Sequence, residues 1–404
     1  MRKYCMITPE GTRDLLFEEC LVRRFIEDKI TDVYKKRGFF EVITPDIEFL
    51  DVFNLKSYNI PQEVMYKLVD SKGRLIVMRP DSTMPIARLV STRLKNQGLP
   101  LRLFYMQNVF TVSPALRGRN DQIMQAGVEI IGASSFKADL EMITTATDAL
   151  DACGCEQYRI EIGHIGIYNE LIKKLDVTEQ MSEQIRKLIE IKNYPMLNDV
   201  LEQLPQTDAS NALKQLPRLF GGYEVFEKAS KVLGDDSKIN EILDYLKGLY
   251  QSLQKHSAGS KISVDLGIVN RNDYYTGIIF RGYISGYGET AVSGGRYDKL
   301  LDEFGYDQPA VGFAINIDAL SKAILDKNAP EVMPCDVLVF SEKGYEIDAL
   351  SYAKALASEG KYIENSMHDT LEDAIEYAKQ KGIATVCAVG ETVKTYKVGG
   401  NENE

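Results

Sequence analysis

Asp273-Tyr274-Tyr275-Thr276-Gly277 is followed some sixteen residues on by Ser293-Gly294-Gly295-Arg296-Tyr297-Asp298, and then by Pro309-Ala310-Val311-Gly312-Phe313-Ala314. The reading of the chain turns on this stretch together with two upstream segments. Arg79-Pro80-Asp81-Ser82-Thr83 follows a strand pattern and opens a helical one, and Gln125-Ala126-Gly127-Val128-Glu129 lies in a strand pattern after Arg117-Gly118-Arg119. Taken singly, each has a plain explanation as a strand, a turn or a glycine hairpin. Taken chemically, the residue types suit ligand binding. Carboxylates accept charge-assisted hydrogen bonds from cationic N–H donors, and tyrosines offer both a ring face and a hydroxyl.

Hydrophobic periodicity lays out the chain around these segments. Residues 13–36 read as an amphipathic helix, with Thr12 or Asp14 as its N-cap and Gly38 beyond its end. Residues 39–45 read as a strand stopped by Pro45, and residues 64–69 and 74–78 as a hairpin. A helix over 81–97, strands over 101–110 and 122–131, a helix over 136–153 and a strand over 157–162 follow. From about 165 to 258 the pattern is Leu, Lys, Glu and Gln at helical spacing, broken by Pro195, Pro205, Pro217 and Gly221-Gly222, which reads as an inserted helical unit. Strand patterns resume at 262–266 and 277–281, with Gly286, Gly288, Gly294 and Gly295 placed at turns, and a helix near 316–326 closes this part. Past Pro330, strands and helices alternate as β-α-β-α-β, the pattern of a small α/β domain.

Composition bounds the function. A chain of 404 residues holds two or three domains, and 48 Lys and Arg against 59 Asp and Glu give a net charge of −11. That balance argues against gripping a phosphate backbone, so no nucleic-acid partner is expected. Residues 329–404 hold 7 Lys, no Arg and 14 acidic residues, a local net charge of −7. The six cysteines follow no framework or metal spacing, and His164, His256 and His368 are too far apart in sequence to suggest a metal box. No metal, no cofactor and no catalytic histidine are expected. The start has no long apolar core and no run approaches the ~20 apolar residues of a membrane span, so the reading is a cytoplasmic protein without membrane association.

In their order and spacing the quoted segments resemble histidyl-tRNA synthetase and its relatives over roughly residues 8–325. The resemblance implies an α+β fold: a class II aminoacyl-tRNA synthetase-like antiparallel sheet with flanking helices and a helical insertion, plus a small C-terminal α/β domain. It implies a core over 1–328 with the insertion at about 165–258, and a reduced anticodon-binding domain over 329–404. Residues 38–46 match the first class motif, which implies self-association as a dimer.

The resemblance also implies where chemistry was lost. The synthetase aims cations at the phosphates of ATP, since charge moves onto pyrophosphate in the transition state. Here Phe110 is followed by Thr111-Val112-Ser113, the arginine of the third motif is Ala319, and the arginine four residues before the tyrosine pair is Asn270. No catalytic residue is therefore expected. The amino-acid half of the site is retained as Asp81, Thr83, Gln125, Glu129, Tyr274 and Tyr275, which the resemblance implies bind histidine. Arg271, beside Asn270, and Arg296 are further candidate contacts. On the residues alone, the lesser alternative is that Asp81 and Glu129 are structural carboxylates paired with Arg79, Arg88 or Arg296.

A retained pocket with deleted phosphate chemistry resembles the regulatory subunits of ATP phosphoribosyltransferase, as do residues 8–16 and 79–88. That implies a non-catalytic partner of a short-form ATP phosphoribosyltransferase catalytic subunit, required for its activity in the first step of histidine biosynthesis and mediating feedback inhibition by histidine. The alternatives are a divergent histidyl-tRNA synthetase and a tRNA- or histidine-binding regulatory module.

Overall fold

A computed structural model describes residues 4–56, 60–113, 120–269, 274–328, 330 and 335–398. The chain divides into two compact units, Met1–Pro330 and Glu331–Glu404.

In the first unit α1 (Glu18–Lys36) begins five residues later than the periodicity suggests. Phe17 takes a left-handed φ of 42°, and Glu19 clasps Arg13 and the Leu16 N–H, so residues 13–17 form a loop. Then follow β1 (Phe40–Glu41), β2 (Ile47–Phe49), β3 (Lys67–Val69), β4 (Leu75–Met78), α2 (Thr83–Thr92), β5 (Leu101–Phe110), β6 (Gln122–Ile131), α3 (Phe136–Ala152) and β7 (Tyr158–His164). The insertion contributes α4 (Ile165–Leu175), α5 (Glu179–Glu190), α6 (Tyr194–Glu202), α7 (Asp208–Gln215), β8 (Phe220–Gly221), α8 (Glu224–Leu233) and α9 (Ser237–Leu253). The chain returns through β9 (Ile262–Asp265), β10 (Ile278–Ile284), β11 (Thr290–Arg296) and β12 (Ala310–Asn316) to α10 (Ile317–Asn328).

Nine strands form one sheet in the order β1-β5-β6-β12-β11-β10-β7-β9-β8. The sheet is mixed rather than wholly antiparallel, because β1 pairs with β5 and β7 with β9 in parallel. Gly294 and Gly295, expected at a turn, lie inside β11, paired with Phe313 and Gly312 of β12. A Cβ on Gly294 would stand 2.5 Å from both Phe280 and Phe313, so glycine is the residue that lets these rings close over the strand.

Strand alternation splits the sheet into two chemically different faces. One carries Phe104, Val128, Phe313, Phe280 and Ile162 in register, all buried. Against it pack α1, α3 and α10, with the Tyr34 ring 5.7 Å from Phe104 and 6.2 Å from Phe313. The other face carries Tyr105, Gln125, Gly127, Glu129, Gly312, Gly295, Arg281 and Glu161. Removal of apolar surface from water holds the first face, which leaves the second for polar work.

The second unit is a four-stranded sheet of β13 (Val337–Ser341), β14 (Ile363–Asn365), β15 (Thr385–Val389) and β16 (Val393–Lys397), with α11 (Glu346–Ser358) and α12 (Leu371–Lys381). Separate apolar clusters lie on its two faces, one with Ala374 and Ala378 of α12 and one with Ala349, Ala353 and Leu356 of α11. The antiparallel edge strand β16 is an addition to the expected pattern. Among the described residues no helix is long and apolar enough to cross a membrane, and no group of His, Cys, Asp and Glu could hold a metal ion.

Candidate ligand-binding site

The polar face converges on Glu129. Its side chain is buried; Oε1 accepts a hydrogen bond from Thr83 Oγ1 at 3.1 Å, and Oε2 accepts one from the Tyr297 hydroxyl. Thr83 is the first residue of α2, and Asp81 accepts from the Met84 N–H at 3.0 Å, as a carboxylate does at a helix start. That hydrogen bond places the Asp81 carboxyl near Glu129, close enough for its charge to be felt there.

The floor is made of glycines. A Cβ on Gly312 would lie 1.6 Å from Glu129 Oε2, one on Gly127 would lie 2.4 Å from the Tyr105 hydroxyl, and one on Gly295 would lie 2.6 Å from the Tyr275 ring. Bare backbone is what allows the carboxyl and the two rings to lie flat on the sheet. Tyr274 and Tyr275 are buried with ring centroids 4.7 Å apart, and Tyr297 meets Tyr274 edge-on at 5.8 Å. Gln125 lies two residues before Gly127 on the same face, in register with Gln107 and Asn316.

Burial governs the protonation of this site. It pushes the Glu129 carboxyl up to about 8; the hydrogen bonds from Tyr297 and Thr83 pull against it and the Asp81 charge adds to it. Burial likewise lifts Asp81 to about 6 against the backbone N–H groups of Met84 and Thr83. Among the described residues neither carboxylate has a cationic partner. Arg79 instead pairs with Asp46, Arg88 with Glu48, and Arg296 with Asp139. Two desolvated carboxyls to which no described residue brings a counter-charge form a site that gains by taking up a cation.

The structure brings Asp81, Thr83, Glu129 and Tyr275 together, with the Tyr274 ring tilted against Tyr275 and Gln125 on β6 with Glu129. Arg296 it places elsewhere. The residue alternates with Gly295, so its guanidinium points to the helix side. There it donates to Asp139 of α3 from Nε at 2.9 Å, to the Ala133 carbonyl and to Asp298. A buried charge with that many partners is structural. Asn270, Arg271, Asp273, Arg117 and Arg119 lie outside the described residues. Tyr297 and Tyr105 belong to the site and were not singled out from the sequence. In the Arg296-Tyr297-Asp298 run the arginine is the residue type that draws attention, but strand parity sends its neighbour Tyr297 to the ligand side.

Where a synthetase would need cations, Thr111 donates to the Pro80 carbonyl and Ala319 is wholly buried in the first turn of α10. Among the described residues, the adjoining cleft of about 850 Å³ is lined by Arg13 and Lys322 against Glu19, Glu289, Asp318 and Asp326, a poor balance for a triphosphate.

A family model described as histidyl-tRNA synthetase matches residues 11–320. The ATP phosphoribosyltransferase regulatory subunit of Clostridium novyi is 37% identical over 410 residues, covering 100% of this chain and 96% of that protein. The subunit of the same name from Clostridium acetobutylicum is 41% identical over 390 residues, covering 96% and 95%. The chain belongs to the ATP phosphoribosyltransferase regulatory subunit family. A solved structure from Bacillus halodurans C, described as an ATP phosphoribosyltransferase regulatory subunit/histidyl-tRNA synthetase, matches with a TM-score of 0.84 at 28% identity, covering 96% of this chain and 100% of that one. Histidyl-tRNA synthetase from Nostoc sp. PCC 7120 matches with a TM-score of 0.77 at 20% identity over 97% and 96% of the two chains, a likeness of fold. The class II synthetase-like architecture of this family is the one built above around Glu129.

Proposed function

We propose that the chain is a non-catalytic, cytoplasmic regulatory subunit that binds histidine and joins a short-form ATP phosphoribosyltransferase catalytic subunit. It is required for the activity of that partner in the first step of histidine biosynthesis and transmits feedback inhibition by histidine. The observation that carries the reading is the pairing of buried Glu129 with half-buried Asp81, neither of them with a cationic partner among the described residues. Histidine supplies an ammonium and an imidazole N–H, two donors for two carboxyls. Asp81, Thr83 and Gln125 hold the ammonium end, Glu129 and the hydroxyls of Tyr274 and Tyr275 hold the ring, and Arg271 is a further candidate contact for the carboxylate.

Two supports are independent of the pocket. Phe40 of the edge strand β1 and Ile43 just past its end, 74% and 79% exposed, supply an apolar surface for self-association as a dimer. Residues 329–404, acidic and without arginine, are a reduced anticodon-binding domain that has given up nucleic acid, appended to a core over 1–328 whose insertion spans about 165–258.

Calorimetry with L-histidine, on the subunit alone and in complex with a short-form catalytic subunit, tests the reading. Binding is expected, with inhibition of the complex that Glu129→Gln and Tyr274→Phe weaken while assembly and uninhibited activity persist. No binding in either setting would sink the sensor role. Histidine-dependent ATP–pyrophosphate exchange by the purified chain would show a synthetase instead.

A further inference from the structure

On the same face of the sheet, at its other end, a cleft of about 120 Å³ opens between the strands and the helical insertion. Strands β6 and β7 are four strand spacings apart, about 19 Å, so this cleft is separate from the Asp81 and Glu129 pocket. Glu161 of β7, Asp265 of β9, Arg281 of β10 and Lys192 between α5 and α6 line it.

These four charges are arranged unusually. Arg281 and Glu161 are direct cross-strand neighbours, a position where opposite charges ordinarily pair. Among the described residues, however, no ion pair joins either cation to either carboxylate. Arg281 turns its guanidinium to the Val269 carbonyl at 2.5 Å, and Asp265 accepts from the Gly267 N–H at 2.8 Å. Glu190, a third carboxylate at the rim, is taken by Arg186 at 3.6 Å. Burial pushes both Glu161 and Asp265 up, and at Glu161 the Asp265 charge adds to it; the Gly267 N–H pulls Asp265 back, Lys192 and Arg281 pull on both carboxyls, and Arg159 on Glu161. Lys192 is held at a positive φ of 56°, a conformation a side-chain-bearing residue rarely adopts. Two cations and two carboxylates thus face one space without neutralising each other.

We propose that this cleft binds a zwitterionic α-amino acid, its carboxylate between Arg281 and Lys192 and its ammonium against Glu161 and Asp265. The two-against-two balance selects a ligand carrying both charges, since a simple cation or anion would leave one pair unanswered. Tyr194 and Tyr283 flank the space and give its side chain an aromatic wall.

The test uses the full chain as Glu129→Gln, which disables the other pocket, and screens each standard amino acid at about 10 mM by thermal shift, then by calorimetry. At least one is expected to bind. Arg281→Gln and Glu161→Gln should each weaken it by about tenfold or more, as should the methyl ester and the N-acetyl derivative of that amino acid. If Arg281→Gln does not fold, Lys192→Ala at the exposed mouth serves, with a loss of about fivefold or more. No binding by any amino acid, binding unchanged in the cleft variants, or equal binding of the methyl ester would each overturn the proposal. Loss of histidine binding on Glu129→Gln alone concerns the other pocket and leaves this result independent of it.

Discussion

Replacing Glu129 by Gln should change how stability depends on pH. In the folded chain burial holds this carboxyl at about 8, against 4.5 for an ordinary glutamate. Between those values the native state keeps a proton that the unfolded chain has lost. Stability therefore falls as pH rises through this window, by about 1.4 kcal/mol per pH unit. Over the interval from 4.5 to about 8 the loss is ~5 kcal/mol, complete above the upper value. A glutamine keeps one acceptor oxygen for Thr83 or Tyr297 and turns its NH2 donor to the other hydroxyl, and it has no proton to lose, so that slope disappears. Asp81, lifted to about 6, contributes in both proteins and cancels from the difference. The chain has no Trp, so urea unfolding followed by far-ultraviolet circular dichroism from about pH 5 to about pH 9 is the natural assay. The two stabilities should converge at alkaline pH relative to their separation at pH 5, or cross. Parallel curves across that range would show that Glu129 is ionised in the folded chain, and the account of an uncompensated buried carboxyl would be wrong. A cation seated on Glu129 removes the same slope, so saturating histidine should flatten the wild-type curve.

Three more outcomes follow from the geometry. Arg296→Ala strands Asp139 as a buried carboxylate and should cost ~3–5 kcal/mol in denaturant unfolding, a cost below ~1 kcal/mol being incompatible with the ion pair described. Burial lowers His164 to about 4, so the unfolded chain binds the extra proton between 6.5 and 4 and stability falls as the medium is acidified, by up to ~3 kcal/mol; His164→Asn should shallow this acid limb, and identical limbs would refute it. Gly312→Ala drives a methyl into the Glu129 carboxyl and should destabilise by ~1–3 kcal/mol, with unchanged stability showing that the floor has room to spare.

The long strands were legible because their ends coincide with the ends of their apolar patterns, as at Leu101–Phe110 and Gln122–Ile131. The start of α1 was not, because it depends on Glu19 reaching back to Arg13 and on Phe17 adopting a left-handed turn. Gly294 and Gly295 look like a turn in one dimension; their role as bare backbone beneath Phe280, Phe313 and Tyr275 exists only once neighbouring strands are in register. Arg296 illustrates the same limit. Its identity suggested a ligand contact, but its partner Asp139 lies in a helix 157 residues away in sequence, and only strand parity tells which face the guanidinium takes. Tyr297, one residue on, reaches the opposite face and holds Glu129.

The glycine floor has an evolutionary corollary. A pocket whose base is the main chain of Gly127, Gly295 and Gly312 is already as deep as the sheet allows, so it cannot be enlarged by trimming its base. New ligand preferences can arise only from the walls, at Asp81 and Thr83 at the start of α2 and at the Tyr274–Tyr275 pair, where a side chain can be exchanged without colliding with a neighbouring strand. A library built to retarget this pocket should randomise those wall positions and leave the three glycines alone.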